Sequence, residues 1–303
     1  FNMADPDYER EFLAELQKDG EVAKGPFIDI GASYETGHTL RELIDSGAVS
    51  SLFSELEPVP ESDKELKLDR PLYCHQESAL QMASSGENLV VTTGTGSGKT
   101  ECFLIPIINH LLREEESGSL NTGVRAIIIY PMNALANDQI KRLRSLLKRY
   151  PKICYGVYNG NTEYTQSKAL AEYHRTYKDA NGNPLDPAPN EIISREVMQR
   201  TPPHILITNY SMLEYMMLRP KDDAVFSGAK LKFIVLDEAH IYKGATGMET
   251  SLLMRRLRAR ISEPGNVQYI LTSATLGGPD ANREILNFAE KLCGVTFNAN
   301  GII

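Results

Sequence analysis

From Asn88 onward, short continuous apolar runs alternate with longer segments of helical spacing. The runs are Asn88 to Thr93 (NLVVTT), Arg125 to Tyr130 (RAIIIY), Ile153 to Val157, His204 to Thr208 (HILIT), Leu231 to Leu236 (LKFIVL) and Val267 to Thr272. Between them, Lys99 to Glu115, Leu135 to Leu147, Gln166 to Tyr177, Asn209 to Leu218 and Gly247 to Ile261 repeat apolar residues at helical intervals. Strands apolar on both faces, separated by helices, predict an α/β fold: a doubly wound parallel sheet covered on both sides. Such sheets bind ligands at the carboxyl ends of their strands. Asp179 to Asn190 (DANGNPLDPAPN) interrupts the pattern with turn-forming residues and predicts an exposed loop.

The first 66 residues have a different texture. Asp5 to Lys18 sets Phe12, Leu13 and Leu16 among charges, the pattern of a surface helix. Thr39 followed by Glu42 predicts a capping box for a second helix running toward Leu56. Gly25-Pro26 and Gly31 mark turning chain between the two, and Pro58 to Asp63 marks a break. The expected organisation is a mainly helical N-terminal extension, residues 1–66, followed by one large domain over 67–303.

Composition narrows the class. With 42% hydrophobic and 24% charged residues, the 303-residue chain has the make-up of a soluble globular protein, with the cytoplasm as its expected location. The longest apolar candidate for a membrane span, Cys102 to Leu112, is interrupted by Pro106, Asn109 and His110. The acidic, polar start has no features of a targeting peptide. Cys74, Cys102, Cys154 and Cys293 lie far apart with no C-x-x-C pair, which predicts buried free thiols rather than zinc ligands or disulfides. A net charge of -8 argues against a bulk electrostatic binder of nucleic acid. It leaves room for a protein that grips a strand through amides, hydroxyls and a few local basic residues.

Candidate chemistry concentrates at two places. Gly94-Thr95-Gly96-Ser97-Gly98-Lys99-Thr100 joins the first apolar run to a helix, and Glu101 follows directly. Glycines there let main-chain amides wrap phosphate oxygens, and the helix N-terminus adds partial positive charge. Lys99 is placed to reach the β- and γ-phosphates, and the Thr100 hydroxyl to ligate magnesium. Thr93 stands where the general G-x-x-x-x-G-K-[ST] pattern has its first glycine. Later, Leu231 to Leu236 delivers Asp237-Glu238-Ala239-His240 to a strand's carboxyl end. An aspartate there can hold magnesium through water, and the glutamate can deprotonate the attacking water. Alone, such a pair reads as a surface turn; with the phosphate cradle earlier in the chain, it reads as a hydrolytic centre.

Further motifs stand in order around these two. They are Tyr73-Cys-His-Gln76, Tyr130-Pro-Met-Asn-Ala-Leu-Ala-Asn-Asp-Gln139, Asn159-Gly-Asn-Thr162, Ile207-Thr-Asn-Tyr-Ser-Met-Leu-Glu214 and Ser273-Ala-Thr275. Together the series resembles the first RecA-like motor domain of superfamily 2 helicases (a Q motif, then motifs I, Ia, Ib, Ic, II and III) over roughly residues 66–293. PMNALANDQ, the Ile241-Tyr-Lys-Gly-Ala-Thr-Gly247 segment and Leu253-Met-Arg-Arg-Leu257 are similar to the Lhr and MrfA-like branch of DNA helicases. That branch includes large bacterial members tied to repair or phage defence. Gly25-Pro-Phe27 and Thr39-Leu-Arg-Glu-Leu-Ile44 also look like its entry region.

The resemblance implies ATP and Mg2+ as cofactors and DNA as the nucleic-acid partner, with 3′-to-5′ movement. It implies that Gln76 reads adenine and that Asn133, Thr162, Thr208 and Asn209 line the strand-binding face. His240, Ser273 and Thr275 are implied to couple the two sites. Arg70 or Tyr73 either stacks on the base or packs in the core. An RNA helicase and an ATP-gated scaffold are the alternatives. Only 27 residues follow Leu276, so a second motor domain is expected outside this sequence, with negligible hydrolysis by the chain alone. Arg255, Arg256, Arg258 and Arg260 read as a solvated, salt-bridged face in preference to a strand contact. Tyr164, Tyr173, His174 and Tyr177 offer either a base-stacking surface or, as their spacing favours, an amphipathic packing helix.

Overall fold

The computed structural model describes residues 6–16, 34–56, 67–94, 96–261, 264–274 and 282–303. The chain divides into two compact units, Phe1–Tyr34 and Glu35–Ile303. Within the first, helix α1 (Pro6–Leu16) buries no residue.

The larger unit begins earlier than the break expected at residue 66. Thr39 and Glu42 form the capping box, with the Glu42 carboxylate accepting from the Thr39 amide at 2.7 Å. The helix it starts, α2 (Leu40–Asp45), is short: the chain turns at Ser46 and Gly47 (φ +75°) and continues as a 3-10 turn, Ser51–Leu56. Leu40, Leu43, Val49 and Phe53 are buried in the same apolar cluster as Leu104 and Ile105. Burying these side chains is what assigns the segment to the main body.

Two strands, β1 (Thr36–Thr39) and β2 (Pro71–Tyr73), pair antiparallel. The main sheet contains β3 (Leu89–Val91), β4 (Ala126–Ile129), β5 (Tyr155–Tyr158), β6 (Glu191–Ile192), β7 (Ile205–Thr208), β8 (Phe233–Leu236) and β9 (Gln268–Thr272). Its order is β3-β9-β8-β4-β7-β5-β6, with parallel pairing throughout. The helices are α3 (Cys74–Ser84), α4 (Glu101–Glu116), α5 (Asn133–Leu147), α6 (Gln166–Thr176), α7 (Arg195–Arg200), α8 (Tyr210–Leu218), α9 (Asp223–Phe226), α10 (Gly244–Arg260) and α11 (Asn282–Cys293).

Side chains alternate across β4: Ile128 joins a core with Leu104, Ile108 and Leu143, while Ile127 and Ile129 join another with Leu213, Leu253 and Ile285. Helices therefore cover both faces, as the two-sided apolar strands require. Asp179 to Asn190 is an irregular, largely exposed excursion closed by a Lys178–Pro184 bridge.

The arginines of α10 are spent on structure. Arg256 pairs with Glu214 at 2.5 Å, Arg258 donates to the Gly294 oxygen at 2.9 Å, and Arg260 donates to the Met217 oxygen at 2.9 Å. Arg255 donates to the Ser251 oxygen at 2.9 Å and to Lys291 O at 3.3 Å. They fasten α10 to α8 and α11, which goes beyond a merely solvated face. The four cysteines are free, as expected, but Cys74 is exposed and Cys154 half-buried; Cys102 and Cys293 are buried. Among the described residues, no helix is long and apolar enough to cross a membrane.

Register sets the functional edge. Val91 pairs with Thr272, Leu236 with Leu271, and Ile129 with both Leu236 and Thr208; Tyr158 also pairs with Thr208. The segments that follow β3, β4, β5, β7, β8 and β9 consequently leave the sheet along one rim.

Candidate functional site

The turn after β3 needs its glycines. Gly96 and Gly98 have φ of +78° and +73°, and a Cβ on Gly98 would sit 2.4 Å from the Gln76 amide nitrogen. The Lys99 ammonium folds back onto the loop, donating to the Thr93 and Gly94 oxygens at 3.0 and 2.8 Å. The Thr93 and Ser97 hydroxyls lie 2.7 Å apart, and Ser97 is fully buried. Thr95 lies outside the described residues.

Gln76, at the third position of α3, is engaged with main chain at both ends. Its Oε1 accepts from the Tyr73 amide at 3.0 Å and its Nε2 donates to the Gly98 oxygen at 3.1 Å. The residue expected to read adenine thus also caps α3 and braces the phosphate loop. His75, which the sequence reading passed over, donates from Nε2 to the Ser97 oxygen at 2.8 Å. Burial holds its pKa below the usual value, against the effect of that bond, and the Lys99 charge lowers it further. Its place in the string before Gln76 was the only signal. Tyr73 stacks on His75 with centroids 5.5 Å apart, and the Arg70 guanidinium lies 6.0 Å from the Tyr73 ring.

Glu101 accepts from Arg142 of α5, joining the helix after the phosphate loop to the helix after β4. Among the described residues, its second oxygen is buried without a hydrogen-bond partner. Burial lowers the Arg142 pKa, with the Arg70 charge adding to the effect. Nothing in the local sequence marks Arg142, because its partner lies on another helix.

On the neighbouring strands, the Thr272 hydroxyl donates to the Asp237 carboxylate. Burial pushes the Asp237 carboxyl up from its ordinary value; the Thr272 hydroxyl pulls it down and the Glu238 charge pushes it up again. Glu238 adopts the left-handed region (φ +50°), unlike every other non-glycine among the described residues. That conformation turns the chain sharply at the strand end and carries a strain of order 1 kcal/mol. His240 Nδ1 lies 3.3 Å from Glu238 Oε2 and 3.2 Å from the buried Ser273 hydroxyl. The structure brings this expected linking pair together; Thr275 lies outside the described residues.

Gln76, Gly98, Lys99, Thr100, Glu101, Asp237 and Glu238 line a single cavity of about 1330 Å³. These residues fit a magnesium-bound triphosphate: glycines that free main-chain donors, a lysine that donates to loop carbonyls, and a half-buried carboxylate beside a second acid.

The residues expected to face a strand have mixed placements. Asn133 and Asn209 meet, with Asn209 Nδ2 donating to Asn133 Oδ1 at 2.9 Å, and Asn209 caps α8 through the Met212 amide at 2.8 Å. Thr162 closes the turn after β5, donating to the Val157 oxygen at 2.8 Å. Thr208 departs from expectation. It is 1% exposed and its hydroxyl donates to the Tyr158 oxygen at 2.7 Å, at the end of β7 where that strand lies between β4 and β5. Tyr173 and Tyr177 pack around Arg144, 5.2 and 4.4 Å from their ring centroids, as the packing alternative required. His174 pairs with Asp186 at 2.7 Å.

The DEAD/DEAH box helicase family profile matches residues 73–283, spanning both the phosphate loop and the acidic pair. The chain belongs to the DEAD/DEAH box helicase family. It is 32% identical to the Druantia protein DruE of Escherichia coli, over 98% of this chain and 20% of that protein. It is also 32% identical to the ATP-dependent helicase YprA of Bacillus subtilis, over 73% of this chain and 26% of the relative. Among solved structures it resembles the DUF1998 helicase MrfA bound to DNA, with a TM-score of 0.62 and 25% identity, over 88% of this chain and 29% of that one. The chain therefore spans about a fifth to a quarter of the curated relatives it matches. Within superfamily 2 this DEAD/DEAH box chain falls in the Lhr/MrfA-like branch, and its parallel sheet is RecA-like.

Proposed function

We propose that this DEAD/DEAH box domain is the ATP-binding motor of an ATP-dependent DNA helicase or translocase, moving 3′-to-5′. The observation that carries the reading is the single cavity lined by Lys99 and Thr100 together with Asp237 and Glu238. Thr100 and Asp237 would hold Mg2+, and Lys99 would leave the Thr93 and Gly94 carbonyls to bind the β- and γ-phosphates. The bound magnesium triphosphate supplies the phosphoryl group and the charge neutralisation it needs. Glu238 would take a proton from the attacking water as its oxygen bonds to the γ-phosphorus. The bond to the β-γ bridging oxygen breaks, and ADP and phosphate leave. The Glu238–His240–Ser273 contacts would pass the change from the nucleotide to the rim that faces the strand. DNA is favoured over RNA because MrfA, the solved relative at 25% identity, is bound to DNA. Residues 67–303 would form the motor, with residues 35–56 packed on it; a second motor domain would complete the machine.

Lys99→Ala tests the reading. In the intact protein, DNA-stimulated ATP hydrolysis should fall to background and strand displacement should vanish. Comparing DNA with RNA, and 3′-tailed with 5′-tailed duplexes, tests the substrate and the polarity. Unchanged stimulated hydrolysis in the alanine variant would remove the role assigned to Lys99.

A further inference from the structure

The geometry points to Tyr164, with Lys221 beside it, as a stacking platform for one base of a bound single strand, at the outer end of the track along the sheet rim. This rests on the reading of that rim as a strand-binding face. Tyr164 was grouped by sequence with Tyr173 and Tyr177, but the fold separates it from them. Those two rings pack around Arg144, whereas Tyr164 precedes α6 and is 41% exposed.

Three features set the ring up for a base. Its backbone is pinned from α7: the Arg195 and Glu196 amides donate to the oxygens of Glu163 and Tyr164 at 3.0 and 2.9 Å. An exposed aromatic on a fixed backbone loses little freedom on binding. The Lys221 ammonium lies 5.8 Å from the ring centroid, where a cation attracts the π-face and can also meet a phosphate.

The third feature is position. In the sheet, β4, β7 and β5 are consecutive. Asn133 and Asn209 meet at the ends of β4 and β7, and the Asn159–Thr162 turn follows β5. Neighbouring strands lie about 4.8 Å apart, so these polar groups span roughly 10 Å of rim. Tyr164 comes two residues after Thr162 and is held by α7, the helix that follows the edge strand β6. Small polar groups that contact phosphate and sugar would then lead to one aromatic ring that holds a base regardless of its identity. Arg195, whose guanidinium donates to the Asn159 and Gly160 oxygens at 2.8 and 3.2 Å, fixes the turn relative to the ring.

The test uses this chain and a fluorescein-labelled oligothymidylate or oligouridylate, read by anisotropy. Tyr164→Ala should weaken binding about 5- to 100-fold, the loss of one stacked base, while Tyr164→Phe stays within about 2-fold. The sequence contains no tryptophan, so Tyr164→Trp places a unique reporter at the site. Its emission should be quenched when an unlabelled oligonucleotide saturates the variant, and quenching by either polymer supports the platform. Lys221→Ala should lower the slope of log affinity against log salt by about one. Unquenched emission at saturation, or an alanine variant that binds as tightly as the parent, overturns the platform but leaves the strand-facing rim intact. Failure of the unaltered chain to bind any single strand overturns the rim reading and the platform with it.

Discussion

The side-chain amide of Gln76 donates to the main-chain oxygen of Gly98 at 3.1 Å, while its own oxygen accepts from the Tyr73 amide at 3.0 Å. One glutamine therefore ties the start of α3 to the last glycine before Lys99. A residue that only read adenine would matter for ATP alone. A residue that holds the phosphate loop matters for any nucleotide.

Gln76→Ala leaves the Tyr73 amide and the Gly98 oxygen without these partners, and each lost bond costs about 0.5–1.5 kcal/mol. The expected outcome is a 3- to 10-fold loss of affinity for MgATP and MgGTP alike. Isothermal titration with both nucleotides checks it. A loss confined to ATP would mean that the amide serves the base and the brace is incidental.

Asp237 ties stability to pH. Its folded pKa lies above the ordinary value, chiefly through burial. The stability it contributes is therefore fully present below the unfolded pKa of about 3.9 and is lost as pH rises through the raised folded value. Above that value the ionised carboxylate is a cost that a bound Mg2+ would offset. Asp237→Asn should raise the melting temperature of the nucleotide-free chain at pH 7 and abolish Mg2+-dependent nucleotide binding. Thr272→Val removes the hydroxyl that lowers this carboxyl, so the pH at which Mg2+-nucleotide binding is half lost should move upward. Thermal unfolding and metal titration between pH 4 and 8 check both; a lower melting temperature for the Asn variant would contradict the burial account.

Arg125 is fully buried at the amino end of β4, where it bonds Glu114 at 2.9 Å, the Gly123 oxygen at 2.7 Å and Asn121 at 2.9 Å. Arg125→Ala removes the guanidinium from the half-buried Glu114 carboxylate, which keeps His110 at 3.5 Å, and empties the space. Breaking such a pair costs about 3–5 kcal/mol, a fall in melting temperature on the order of 10 °C. Nucleotide affinity measured below the transition should stay within about 2-fold, since the site lies at the opposite end of the strands. Calorimetry and nucleotide titration on the same sample separate the two effects.

The parallel sheet, the glycine turn before Lys99, the acid pair after β8 and the Thr39–Glu42 capping box were legible in the sequence. Each depends on neighbours within a few residues: side-chain alternation, a positive φ that only glycine tolerates cheaply, an acceptor three positions from its donor. Such constraints are written in local order.

Tertiary structure alone decided which groups met across the fold. Thr272 reaches Asp237 because β9 lies beside β8 in one register, and Arg142 of α5 reaches Glu101 of α4 from 41 residues away in the chain. Thr208 is buried because its strand sits between two others, and Tyr164 is exposed because its ring lies apart from the pair around Arg144. A hydrogen-bond partner many residues away leaves no periodic trace in the chain. Register and packing select it, and both exist only once the sheet has formed.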